Sequence, residues 1–187
     1  ALLSHEIGVH LVTYFSGDAQ ELRIFRSGLA GYEGLQEGLA VFAEYLVGGL
    51  TPGRLRLLAA RVVGCAAMLE GADFTESYRM LTREHGFGTS AAFNLNVRLY
   101  RSGGMAKDAI YLRGLREVLN HIGAGKSLDP FWLGKFSSSQ LQVIEELIAR
   151  GLLRKPPIIP SFLSSRIAQQ RLAAVGAGFT PANLVSE

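Results

Sequence analysis

Apolar residues recur at helical spacing along most of the chain. The clearest case is residues 32–47, where Leu35, Leu39, Phe42 and Leu46 follow one another every three or four positions. Similar patterns predict helices over residues 2–15, 52–70, 75–85, 89–100, 109–122, 138–150 and 161–175. The segments between them are short and rich in glycine, serine and proline. The pattern therefore predicts a mainly α fold class, a compact multi-helix domain.

Turn-forming residues define the predicted ends of these elements. Ser16-Gly17-Asp18 is expected to end the first helix, and residues 22–25 form either an edge strand or a helical turn. Asp108 is predicted to cap the helix that begins at the next residue. The helix over residues 52–70 is apolar on nearly every side after Leu57, so we expect it at the centre of the domain.

A proline-rich stretch divides the predicted domain from a terminal part. Pro156, Pro157 and Pro160 favour a stiff, extended connector. We therefore expect one main helical domain over residues 1–155. Residues 156–187 are expected to form a connector and a terminal helix that packs on the same domain, with a loose tail from residue 176.

Composition excludes several classes of function. With 187 residues, 48% of them hydrophobic and 19% charged, the chain is long enough for one well-buried domain. The net charge of +3 is too small to indicate nucleic-acid binding. No apolar run reaches the ~18 residues of a membrane span, and no signal peptide is recognisable, so we expect no membrane partner. The single cysteine, Cys65, excludes an internal disulfide, lies in an apolar run and is predicted to be a core residue, which is compatible with a reducing, cytoplasmic setting.

Two histidines flank a glutamate near the start of the chain, in the segment SHEIGVH of residues 4–10. This combination is typical of zinc proteases, in which the histidines bind the metal and the glutamate takes a proton from water. The common spacing is i and i+4, whereas His5 and His10 would point about 140° apart on a regular α-helix. A widened π-type turn would bring both to one metal, and Gly8 is the residue best able to permit it. We therefore predict Zn²⁺ bound by His5 and His10, with Glu6 as catalytic base.

A third ligand must come from elsewhere in the chain, because catalytic zinc sites use three protein ligands. The helix over residues 32–47 offers Glu33 and Glu37, which lie one turn apart on the same face. The residues alone do not choose between them. Gly38 and Ala40 are small, and we expect them to let this helix approach the first helix closely. Glu44 is interpreted as a surface carboxylate.

Three segments, taken together, resemble a known family. They are HEIGVH (residues 5–10), GYEGLQEGLAVFAEYLVGGL (residues 31–50) and RLYRSGGMAKDAIYL (residues 98–112). In this order they are similar to the flavohaemoglobin expression-modulating QEGLA-motif proteins, relatives of the microtubule-associated tyrosine carboxypeptidases. The resemblance implies a gluzincin-like zinc metallopeptidase domain with His5, His10 and Glu37 as metal ligands and Glu6 as base. It thus favours Glu37 over Glu33, and it implies a peptide or protein C-terminus as substrate.

The third segment supplies candidate substrate-binding residues. Arg98, Arg101 and Lys107 surround a Gly-Gly loop. Arginine binds a carboxylate through two parallel hydrogen bonds, and a carboxypeptidase must hold the terminal carboxylate of its substrate. Tyr100 and Tyr111 offer phenolic donors that would stabilise an oxyanion. The resemblance favours Tyr111, because the family segment ends with this Tyr-Leu pair.

Two functions of different class follow from these residues. The leading one is a zinc-dependent peptidase of the carboxypeptidase type. The alternative is a non-enzymatic regulatory or interaction domain that keeps the metallopeptidase fold. Glu6 separates them, because a regulator has no chemical need for a base. Only four residues precede His5, and the resembled family continues upstream, so we expect a fragment that lacks its N-terminal part.

Overall fold

Helices form every regular element in the part of the chain that the structure describes. This computed structural model describes residues 1–101 and 104–185, apart from the side chains of residues 104–106. The α-helices are α1 (Leu2–His5), α2 (Val12–Asp18), α3 (Ile24–Ser27), α4 (Tyr32–Leu46), α5 (Pro52–Leu69), α6 (Phe74–Arg79), α7 (Thr89–Tyr100), α8 (Gly104–Gly123), α9 (Leu141–Ala149) and α10 (Arg166–Ala174). The other helical elements are two π-helical turns (Glu6–Leu11 and Met80–Glu84) and four short 3-10 helices (Asp129–Trp132, Ser138–Gln140, Ser161–Ser164 and Pro181–Val185). The predicted mainly α fold class is confirmed. Among these described helices, none combines the length and apolar character needed to cross a membrane.

The chain divides into two units. The first contains Ala1–Leu50 and Arg113–Glu187, and the second contains Thr51–Leu112. The terminal segment of residues 156–187 belongs to the first unit, where α10 packs on α4.

Helix α4 is the buried centre of the first unit. Residues 34–44 and Leu46 are all buried, because the apolar face of this helix is complemented by glycine and alanine on its other faces. Helix α1 and the first π-helical turn pack against it. The metal-binding histidines expected from the sequence therefore lie beside the most buried helix of this unit.

Glycines allow α4 to lie directly against α8. A Cβ atom added to Gly38 would overlap the backbone of Gly114 and Leu115, and one added to Gly114 would overlap the carbonyl of Gly34. The close approach expected at Gly38 therefore exists, but its partner is α8 rather than the first helix. The sequence showed that a small residue was needed there but not which helix would use the space.

The second unit has a small core between α5, α6 and α7. Its buried cluster consists of Ala60, Leu81, Ala92 and Leu95. In α5 only Leu58, Ala60, Gly64 and Cys65 are buried, and Leu69 is 71% exposed. The expectation that α5 is the centre of the domain is therefore wrong, because an apolar run can also lie half exposed along one side of a small core. Cys65 is buried, as predicted.

Asp108 lies inside α8 and does not cap it. The helix begins at Gly104, one turn earlier than predicted, and the Asp108 side chain is 1% exposed. Its carboxylate accepts a hydrogen bond from Arg98 Nε and lies 3.7 Å from Arg61 Nη1. The cap assignment was therefore wrong, since Asp108 is a buried ion-pair partner of two arginines. Of the predicted break at residues 102–104, the first two residues lie outside the described part of the chain.

Three other segments show how the predicted ends and connections turned out. Helix α2 continues through Ser16 and Gly17 to Asp18 because Gly17 makes room for the backbone of Phe25 and Arg26. The segment around Phe25 is helical, which excludes the edge-strand alternative. In the predicted tail, Pro181–Val185 forms a 3-10 helix with Leu184 buried, while residues 186–187 lie outside the described residues.

Candidate metal centre

A widened turn separates the two histidines. His5 ends α1, and the π-helical turn Glu6–Leu11 follows it, with Val12 N donating a hydrogen bond to Ile7 O five residues earlier. The extra residue in the turn compensates for the i, i+5 spacing, so the two imidazole rings lie with centroids 5.1 Å apart and planes at 78°. The distortion predicted between His5 and His10 is confirmed.

The widened turn is in close contact with the C-terminal part of the first unit. A Cβ atom added to Gly8 would lie 2.7 Å from Cε1 of Phe162, closer than side chains normally approach. The Phe162 ring also packs edge-on against Trp132, with ring centroids 6.4 Å apart. Gly8 is therefore needed for packing against Phe162, whereas its φ is not positive and the turn does not require the backbone freedom of glycine there.

Glu37 meets both histidines from α4. Its Oε2 atom lies 3.4 Å from His5 Nε2 and 3.7 Å from His10 Nε2. One ligand atom from each of the three residues lies within 4.8 Å of the others. Tetrahedral zinc with bonds of about 2.0–2.1 Å places its ligand atoms about 3.3 Å apart. Two imidazole nitrogens and one carboxylate oxygen therefore have the chemistry of zinc ligands, and the two distances from Glu37 are close to the spacing that zinc requires.

Glu44 is bonded to His5 and is not a surface residue. Its side chain is buried, and Glu44 Oε1 lies 2.8 Å from His5 Nδ1. The interpretation of Glu44 as a surface carboxylate is therefore wrong. The signal that would have identified it is a charged residue between Ala43 and Leu46 on an otherwise apolar helix, on the same face as Glu37 two turns earlier.

Gln36 occupies the corresponding position beside His10. Its Oε1 lies 3.4 Å from His10 Nδ1 and accepts a hydrogen bond of 2.9 Å from Thr13 Oγ1. Both Gln36 and Thr13 are buried, and the sequence analysis named neither as part of the site. Their polar side chains within apolar helical patterns were the available signal.

The three ligand residues interact strongly in the absence of metal. Burial by itself lowers the pKa of His5, but hydrogen bonds and charge from Glu37 and Glu44 outweigh it and raise that pKa to about 9. Burial opposes ionisation of Glu37, yet hydrogen bonds from His10 and His5 hold its pKa well below the usual range. In the metal-free protein at pH 7, His5 is therefore protonated and Glu37 is ionised.

Other acidic candidates lie at the surface. Glu6 is exposed and is the first residue of the π-helical turn, adjacent to His5. Glu33 is also exposed, one turn before Glu37 on α4. The structure thus brings Glu37, and not Glu33, to the histidines. The role of Glu6 as base stays a prediction.

The predicted substrate-binding residues belong to the second unit. Arg98 is bonded to Asp108, Arg101 and Lys107 are exposed, and Tyr111 is buried beneath the guanidinium of Arg61 at 5.3 Å. The Tyr100 hydroxyl donates to Ala72 O, so this alternative to Tyr111 is engaged in local structure. The metal ligands lie in the first unit, and the substrate-binding roles of these residues stay predictions.

Comparison with known families assigns the chain to one of them. A model of the family described as microtubule-associated tyrosine carboxypeptidase matches residues 1–178. The chain belongs to the microtubule-associated tyrosine carboxypeptidase family. The match covers the π-helical turn, α4 and α8, so the residues that form the candidate metal centre lie within the part shared with this family. No curated protein matches the chain.

Proposed function

We propose that the protein is a zinc-dependent peptidase of the carboxypeptidase type, which acts on the C-terminus of a peptide or protein. The observation that carries this proposal is the convergence of His5, His10 and Glu37 in a chain of a carboxypeptidase family. The proposal is supported by the distances from Glu37 to the two histidines and by the widened turn, which brings histidines five residues apart to one side.

Each residue of the site has a distinct role in this proposal. His5, His10 and Glu37 would hold the metal, which supplies a Lewis acid for the scissile carbonyl and for water. Glu6 follows the first ligand directly in the chain and would accept the proton of the attacking water, then deliver it to the leaving amine. A base needs access to solvent and substrate, and the exposure of Glu6 agrees with that role.

We also infer, from the family resemblance, that three basic residues recognise the terminal carboxylate. Arg98, Arg101 and Lys107 carry the charges that a free C-terminus requires. Arg101 and Lys107 are exposed. Tyr111 is proposed as the phenolic donor to the oxyanion.

The test is hydrolysis of matched peptides by the zinc-loaded protein and by Glu6→Gln. The substitution keeps size and removes the base, so the rate is expected to fall by about 10²–10⁴-fold while zinc content stays the same. Glu33→Gln removes a comparable exposed carboxylate from α4 and serves as the matched control, with unchanged rate expected.

Peptides with free and with amidated C-termini distinguish a carboxypeptidase from other peptidases. A preference for the free form that decreases in Arg101→Ala supports carboxylate recognition. Equal activity of wild type and Glu6→Gln would refute the mechanism. A zinc-loaded wild type that cleaves no peptide of a broad panel would favour the regulatory alternative.

A further inference from the structure

Each histidine of the metal centre is bonded at the nitrogen opposite its ligand atom. His5 and His10 turn Nε2 toward Glu37, and their Nδ1 atoms face Glu44 and Gln36 respectively. We propose that Glu44 and Gln36 are positioning residues that fix the ring orientation and tautomer of His5 and His10, with Glu44 the stronger of the two. The inference rests on the proposed zinc site.

The argument begins with the proton count of imidazole. A neutral histidine has one N–H, and the nitrogen that binds a metal must present its lone pair. With Nε2 as the ligand atom, the proton must be on Nδ1, where it needs an acceptor. A carboxylate is only an acceptor, so Glu44 at 2.8 Å favours this tautomer and excludes the reverse one.

Gln36 provides a weaker form of the same contact. An amide can present oxygen or nitrogen, so its orientation must itself be held. Thr13 can hold it by donating to Gln36 Oε1 at 2.9 Å, but the same hydroxyl has Val9 O at 2.8 Å and only one proton to give. The contact between Gln36 and His10 is also longer, at 3.4 Å, and carries no charge. The orientation of His10 is therefore less strictly determined than that of His5.

One buried helix supplies the ligand and both positioning groups. Gln36, Glu37 and Glu44 all lie on α4 within the buried run of residues 34–44. Glu37 and Glu44 are seven residues apart and so lie on one face of the helix. The two carboxylates contact opposite nitrogens of the His5 ring, Glu37 at Nε2 and Glu44 at Nδ1. Their positions are fixed because α4 is packed on both sides. A preorganised ligand loses little entropy when the metal binds.

The experiment measures zinc affinity by chelator competition for Glu44→Ala, Glu44→Gln and Gln36→Leu. Loss of such outer contacts typically weakens metal binding by about 10–100-fold, which is expected for Glu44→Ala; Glu44→Gln is expected to lose less, because its amide oxygen can still accept from His5 Nδ1. Gln36→Leu keeps the volume and is also expected to lose less than Glu44→Ala. Glu33→Gln, an exposed change on the same helix, is the control and is expected to bind zinc as the wild type does.

Two further readouts separate positioning from simple stabilisation. Substitution of zinc by cobalt(II) reports ligand geometry, and the visible bands of fully loaded Glu44→Gln are expected to shift. In the metal-free protein above about pH 9, where His5 becomes neutral, nitrogen NMR is expected to show the tautomer with its proton on Nδ1; Glu44→Ala is expected to lose this preference and Glu33→Gln to keep it. These signals do not change if Glu44 contributes only to the melting temperature.

The possible results separate the inference from the proposed function. Unchanged zinc affinity and cobalt spectra in both Glu44 variants would overturn the inference and leave the zinc site intact. A larger loss in Gln36→Leu than in Glu44→Ala would overturn the ranking. If the wild type binds no zinc, the proposed function fails, and the Nδ1 proton still decides whether Glu44 orients His5.

Discussion

Substitution of Gly38 by alanine tests whether the metal ligand depends on the packing of α4 against α8. The added methyl group would overlap backbone atoms of Gly114 and Leu115, which cannot rotate away as a side chain would. Overpacking of this kind costs about 3 kcal/mol at the upper end of its usual range. Alanine returns about 1 kcal/mol through its higher helix propensity. The expected net loss is about 2 kcal/mol, or about 4–8 °C in melting temperature for a chain of this length.

The assay is thermal unfolding of the metal-free protein, followed by zinc titration. Gly53→Ala is the matched control, because it lies in the first turn of α5 and a Cβ atom there meets nothing closer than Thr51 Oγ1 at 3.9 Å. This variant is expected to be as stable as the wild type or slightly more so. Gly38→Ala is also expected to bind zinc more weakly, because the adjacent Glu37 must move with the displaced backbone. A melting temperature of Gly38→Ala equal to or above that of the wild type would contradict the argument.

Four other predictions follow from the structure. His10→Ala is expected to abolish stoichiometric zinc binding in elemental analysis, whereas His121→Ala, which removes a bond to Ser127 O at the end of α8, should keep it. Zinc uptake at pH 7 should release about one proton, because His5 has a pKa near 9 in the metal-free protein and must become neutral to bind; calorimetry in buffers of different ionisation enthalpy measures this. Folding raises the pKa of His5, so protonated His5 stabilises the metal-free protein. This stabilisation is full below about pH 6.5 and is lost as the pH rises through about 9. Asp108→Asn is expected to destabilise the protein by about 3 kcal/mol, because two arginines lose their buried carboxylate, while Asp18→Asn in an exposed pair should change the melting temperature little.

The two candidate histidine ligands could be identified from the sequence because their signal is local, whereas the choice of Glu37 over Glu33 came from the family resemblance. If His5 and His10 are to meet at one site, their i, i+5 spacing requires a distorted turn whatever the rest of the fold does. The presence of each helix, and most of the residues at which helices begin and end, can likewise be predicted from neighbouring residues alone. The match of α4 and α5 to their predicted ranges follows from strong periodicity and from the Thr51 cap, which accepts a hydrogen bond from Arg54 N.

The errors concern what lies opposite a residue in space. Position i+7 places Glu44 on the face of Glu37 but does not reveal that His5 packs there. Asp108 was predicted to be a helix cap because its neighbours in the sequence do not reveal that it pairs with Arg61, which is 47 residues earlier in the chain. The glycine spacing at Gly38 predicts close approach, yet α8 and not the first helix fills the space. Such contacts depend on tertiary packing, which a single sequence does not specify.

The contact between Gly8 and Phe162 joins two distant parts of the chain at the metal turn. The short helix Ser161–Ser164, which carries Phe162, follows the stretch of Pro156, Pro157 and Pro160. If zinc binds as proposed, it would hold the turn in the shape that receives the phenyl ring, so metal binding and docking of this segment would be thermodynamically coupled. By reciprocity, docking of this segment would also strengthen zinc binding. A protease cut within residues 156–160 would free the ring from the turn and increase the rate at which zinc dissociates, and zinc in turn would protect these residues from cleavage.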